Sequence, residues 1–146
     1  MAEEKKISLN EEQLAQLFQL ENQRFSTTQE RLGALRNILS EMLNAREAVQ
    51  AISKGQKNNK ALIPIGAGVL VETTLENNKT LLFSMAGNLA QKKTTKEIEE
   101  ELSKRIESVE KSIEKENAEA NRQAANLNNI LAAANSAQAR RRQQRV

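Results

Sequence analysis

The chain has 146 residues, a formal net charge of +3 and a mean hydropathy of −0.64; three Phe are its only aromatic residues, and His, Cys and Asp do not occur, so every acidic side chain is Glu. This inventory excludes a His-dependent hydrolytic triad, thiol chemistry and an imidazole or thiolate zinc site. So few aromatics also argue against a thick core that could wall off a pocket and retune a Glu or Lys, and the chain is not expected to be an enzyme or to hold a catalytic residue, a cofactor or a metal. With no Cys there is no disulfide framework to argue for secretion, and Met1 to Lys6 are polar with no apolar run behind them. No stretch approaches the roughly 18 apolar residues of a membrane span, so a cytoplasmic chain with no membrane partner is expected.

The first expected element is a helix over residues 8–53, rich in Leu, Gln, Glu, Ala and Arg. Ser8 or Asn10 can cap its start, with Glu11 or Gln13 behind, and Gly55 with Lys57-Asn58-Asn59-Lys60 ends it. Its apolar residues fall on heptads. One series runs Phe18, Phe25, Leu32, Leu39 to Arg46; the other holds Leu14, Leu35, Met42 and Val49 and is interrupted by Glu21 and Thr28. This is the a/d seam of a coiled coil.

Residues 60–93 follow a different pattern, that of strands. Leu62-Ile63-Pro64-Ile65 is short and confined by Pro64 to an edge or a strand start, whereas Val69 to Leu75 is β-branched. Glu76-Asn77-Asn78-Lys79 reads as a turn, Thr80 to Met85 as the return, and Ala86-Gly87-Asn88 as a further turn into Leu89-Ala90-Gln91-Lys92. The result is four short strands, or two hairpins. Gly66-Ala67-Gly68 is no dinucleotide fingerprint, because Val71 stands where its third glycine would fall and the glycines lead into a strand; a tight turn or bulge is expected.

A second helix is expected over residues 95–138. Thr94 and Glu97 form a capping box, and Glu99, Glu100 and Glu101 place negative charge at the positive end of the helix dipole. The seam reads Ile106, Ile113, Ala120, Leu127, Ala134 and, in the partner series, Leu102, Val109, Glu116, Gln123, Ile130, Ala137, weakest between Glu116 and Gln123. Residues 139–146 form a basic tail containing Arg140, Arg141, Arg142 and Arg145. Taking those four from the net +3 leaves −1, so the body is near neutral and offers no basic stripe for nucleic acid.

A helix of about 44 residues is roughly 65 Å long, whereas a compact monomer of this size would be some 30 to 40 Å across. The economical arrangement is an α+β fold: a long antiparallel coiled-coil hairpin with two short β-hairpins at its base. The strands leave open edges and apolar faces at Ile63, Ile65, Val69, Val71, Leu81, Phe83 and Met85, which association with other subunits into a sheet or barrel would cover. At the opposite tip, Leu9, Leu14, Leu17, Phe18, Leu20 and Phe25 meet Leu127, Ile130 and Leu131. They supply more apolar surface than pairing two helices needs, and such a patch is a binding surface.

The stretches Ala61-Leu62-Ile63-Pro64-Ile65-Gly66-Ala67-Gly68-Val69-Leu70-Val71 and Met85-Ala86-Gly87-Asn88-Leu89-Ala90-Gln91-Lys92-Lys93-Thr94 resemble the central region of archaeal-type prefoldin alpha subunits. The resemblance implies a single prefoldin-like domain over 1–146 in a hexamer of two alpha and four beta-type subunits, its body built of β-barrels and its coiled coils serving as tentacles. It further implies an ATP-independent holdase that captures unfolded polypeptides and delivers them to a group II chaperonin. The client surface would correspond to Leu9, Leu14, Leu17, Phe18, Phe25, Leu127, Ile130 and Leu131. The Arg-rich tail departs from the family pattern. Two other classes share the architecture: a coiled-coil protein that binds nucleic acid through Arg140 to Arg145, and a scaffold or adaptor for one native partner.

Overall fold

The computed structural model describes residues 10–76, 79–85, 87 and 89–143. Its elements are α1 (Glu11–Lys54), β1 (Asn59–Gly66), β2 (Val69–Leu75), β3 (Thr80–Ser84), β4 (Ala90–Thr94) and α2 (Thr95–Gln143). The chain divides into two compact units, Met1–Arg36 with Ser112–Val146, and Asn37–Lys111, each of which takes part of both helices.

In the first unit α1 starts on a reciprocal cap. Asn10 Oδ1 accepts the backbone N–H of Gln13 at 2.7 Å, and Gln13 Oε1 accepts that of Asn10 at 3.0 Å, which satisfies two donors at this helix start. Contacts between the helices run in opposite senses along them: Glu11 with Arg141, Glu21 with Asn126, Arg36 with Asn117. The pair is antiparallel. Leu14, Phe18, Phe25, Leu32 and Leu35 turn inward from α1, and Ile113, Ala120, Leu127, Ile130, Ala134 and Ala137 from α2, with Leu32 only 1% exposed.

The polar residues of the heptads keep their places in this seam. Glu21, Thr28 and Gln123 are all buried. The carboxylate of Glu21 accepts the amide of Asn126, and the Thr28 hydroxyl turns back to the carbonyl of Arg24 at 3.0 Å. Gln123 donates Nε2 to Glu119 at 3.1 Å, while its Oε1 is buried without a partner. α2 continues past the expected end at 138 to Gln143, since Ala139 and the following arginines are good helix formers and no breaker intervenes. Arg140, Arg141 and Arg142 therefore form its last turn, where positive charge suits the helix dipole.

The second unit is built on Val49, Ile98 and Leu102, with Leu81 and Phe83 packed against them. The Phe83 ring centroid lies 4.8 Å from the Arg105 guanidinium and 5.2 Å from Lys93 Nζ, both within cation–π range. Thr94 caps α2. Glu97 Oε2 accepts its backbone N–H and its hydroxyl, each at 2.8 Å, and the Glu97 N–H donates back to Thr94 Oγ1 at 3.2 Å. The Thr94 backbone N–H, then its hydroxyl, hold the Glu97 carboxyl below the usual carboxylate range.

The strands form two separate antiparallel hairpins, β1 with β2 and β3 with β4. The segment after Glu76 thus links two sheets instead of closing a hairpin of its own, and Asn77 and Asn78 of the expected turn lie outside the described residues. At Gly66-Ala67-Gly68 the backbone takes positive φ at three successive residues (115°, 50° and 79°) beside a register shift between Pro64 and Gly66. This is a tight turn with a bulge, and glycine suits its outer two positions because it has no Cβ to strain there.

Candidate functional site

At the start of α1 and the end of α2 the first unit opens into a groove of about 610 Å³. Leu14, Ala15 and Phe18 of α1 and Ile130, Leu131 and Ala134 of α2 supply its apolar lining. Gln16, Gln19 and Gln138 stand on its banks together with Glu11 and Glu12. Arg141 Nη1 donates to Glu11 Oε2 at 2.7 Å, so one of the two carboxylates is already engaged. The helical period explains this lining. Leu14 and Phe18, and Ile130 and Ala134, are seam positions; Leu14 is buried at the floor, whereas Phe18, Ile130 and Ala134 are only partly covered.

The structure brings four of the expected client-binding residues, Leu14, Phe18, Ile130 and Leu131, into this one groove. Leu17 is exposed and does not line it, while Phe25 and Leu127 are half-buried further along the seam. Leu9 lies outside the described residues. Ala15 and Ala134, too small to register as an apolar patch, and the three glutamines were not anticipated. For Ala134 the sequence signal is its heptad position in the seam, and for Gln16 and Gln19 it is spacing, since Glu12, Gln16 and Gln19 recur at i, i+4 and i+7.

The hairpins of the second unit expose apolar side chains on more than one face. In β1 and β2, Ile63 pairs with Val71 while Pro64 pairs with Leu70, so the alternation puts Ile63 and Val71 on one face and Leu62 and Leu70 on the other. Ile63, Ile65, Val69 and Val71 are all exposed, as is Met85. Leu81 and Phe83 differ from the other expected assembly residues: they face the chain's own helices, and that apolar surface is taken up within the unit. The outward residue of β3 is Leu82, 74% exposed. Leu62, Leu70 and Leu89 were likewise not among the expected assembly residues and are exposed.

Among the described residues no helix is long and apolar enough to cross a membrane. The architecture defines a class of subunit in which two long helices, antiparallel in each unit, are joined through two short β-hairpins. The chain belongs to the prefoldin family: the family described as prefoldin subunit matches residues 22–140, most of its length. Its fold is similar to that of a filamentous prefoldin (PFD) from Methanocaldococcus jannaschii solved by cryo-electron microscopy. The TM-score is 0.67 at 12% identity, and the match covers 79% of this chain and 95% of that one. No curated protein matches the chain.

Proposed function

We propose that the chain is a holdase-type chaperone subunit that binds non-native polypeptide in the groove of Leu14, Phe18, Ile130 and Leu131, and acts by contact and not by catalysis. The observation that carries the reading is this apolar groove in a chain of the prefoldin family. A patch of this size binds weakly at about 25 cal/mol per Å² buried, and several subunits holding one unfolded chain multiply the affinity through effective concentration, with no nucleotide required.

Assembly follows from the hairpins. Ile63, Ile65, Val69, Val71 and Met85, joined by Leu82, leave apolar faces and strand edges that other prefoldin subunits would cover, closing a β-barrel between chains. The family resemblance supports an alpha-type role with beta-type partners, two alpha and four beta in a cytoplasmic hexamer, and delivery of the captured client to a group II chaperonin. Engagement of Arg141 by Glu11 favours this reading over a free basic arm for nucleic acid.

The test is suppression of aggregation of a chemically denatured client by the assembled protein, compared with a Phe18→Ser/Leu131→Ser variant of unchanged oligomeric state. Severalfold weaker suppression by the variant is expected; equal suppression would overturn the assignment. A beta-type partner that fails to co-assemble, judged by light scattering, would overturn the subunit role.

A further inference from the structure

The polar side chains along the groove are arranged in a row. Glu12, Gln16 and Gln19 follow one another by four and three residues, on one bank and along one face of α1, with Gln138 of α2 among the other lining residues. Their steps along the helix axis are about 6 Å and about 4.5 Å. An extended polypeptide presents main-chain N–H and C=O groups on one edge every two residues, about 6.6 Å. Flexible amide side chains cover the difference, and each Gln both donates and accepts, whereas Glu12 accepts. All four are exposed and so within reach of an incoming chain.

We propose that this row reads the main chain of the client: the occupant is an extended non-native segment lying along α1, its peptide groups paired with Glu12, Gln16 and Gln19 and its apolar side chains set on Phe18 and Ile130. The inference rests on the reading of the groove as a capture site and names the state of polypeptide that it takes. The complementarity lies in polar spacing and in the one acceptor charge. A helical segment has its peptide groups paired internally and offers this row nothing, while a segment that has lost its native structure offers a free edge whatever its sequence. Main-chain pairing supplies affinity with little demand on side-chain identity, as when a strand adds to a sheet edge.

The experiment uses the full-length chain in its assembled form and fluorescence anisotropy with labelled peptides. One peptide alternates Val and Ser, a second is the same with alternate peptide nitrogens methylated, and a third is a lactam-bridged helix showing the same apolar residues on one face. The unmethylated extended peptide is expected to bind about fivefold more tightly than either of the others, the effect of about one net hydrogen bond. In the Gln16→Met/Gln19→Met/Gln138→Met variant, which keeps side-chain length and removes the amides, that ratio is expected to fall toward one. Equal binding of the three peptides, or a ratio that the triple variant leaves unchanged, overturns main-chain recognition and leaves the capture site standing. Binding of none of them, together with unimpaired suppression of client aggregation by Phe18→Ser/Leu131→Ser, overturns both.

Discussion

Asn126 donates its side-chain amide to the buried carboxylate of Glu21, reaching from one helix to the other at 2.9 Å. Arg24, one turn on from Glu21, lies 3.6 Å from the second carboxylate oxygen. A carboxylate in a helix seam carries a desolvation cost that one amide and one distant cation offset incompletely. Glu21→Leu is therefore expected to leave stability unchanged or raise it by about 1 kcal/mol, whereas Asn126→Ala, which strands the carboxylate, lowers it by about 1 kcal/mol. Urea midpoints of the two variants check the opposite signs.

Gln123 provides a cleaner case, because its Oε1 is buried with no hydrogen-bond partner. Gln123→Leu replaces a buried side chain carrying an unsatisfied acceptor with an apolar one of similar volume, and a gain of about 1 kcal/mol is expected. A midpoint below that of the parent would show that the amide pairs more fully than this geometry implies.

Two adjacent residues of α1 respond in opposite directions. Leu32 is 1% exposed, and Leu32→Ala should cost about 3 kcal/mol through lost burial and the cavity left behind. Gly33 is exposed within the helix, and a methyl group added to its Cα would meet nothing within 4 Å, so Gly33→Ala should stabilise by about 0.5 to 1 kcal/mol. Thermal unfolding followed by circular dichroism separates the two.

The cap of α2 couples stability to pH. Thr94 holds the Glu97 carboxyl below the ordinary carboxylate range, so the stabilisation is fully present above the pKa of an unfolded carboxylate and is lost as pH falls through the lowered folded value. The stability difference between the parent and Glu97→Gln should therefore shrink on acidification from about pH 6 to about pH 3. Thr94→Ala should cost about 1 kcal/mol near neutral pH, the usual effect of losing an N-cap hydroxyl.

Most of the architecture was legible because the helices carry one period. The heptads that begin at Leu14 and at Leu102 place the seam residues by register alone, polar ones included: Glu21, Thr28 and Gln123 face inward because spacing decides direction even where chemistry objects. Strand limits were less legible. β4 reaches Thr94 because cross-strand pairing with Thr80 and Leu81 draws Lys93 and Thr94 into the sheet, a long-range effect that local composition does not carry. Alternation grouped Leu81 with Phe83 correctly but could not say that helix residues Ile98 and Leu102 would cover them. At the groove, apolarity pointed to Phe18 and Ile130, whereas Gln16, Gln19 and Gln138 resemble any solvated helix surface until the second helix forms the opposite wall.

The scarcity of aromatic residues leaves each unit with its own reporter. Phe83 is the lone aromatic of the second unit, its ring near Arg105 and Lys93, while Phe18 and Phe25 both belong to the first. Uniform replacement by fluorophenylalanine would thus yield three fluorine resonances, one shifted by two nearby cations and one lining the open groove. Packing of the hairpin unit and client loading could then be followed separately in one spectrum, without a tag or an introduced label.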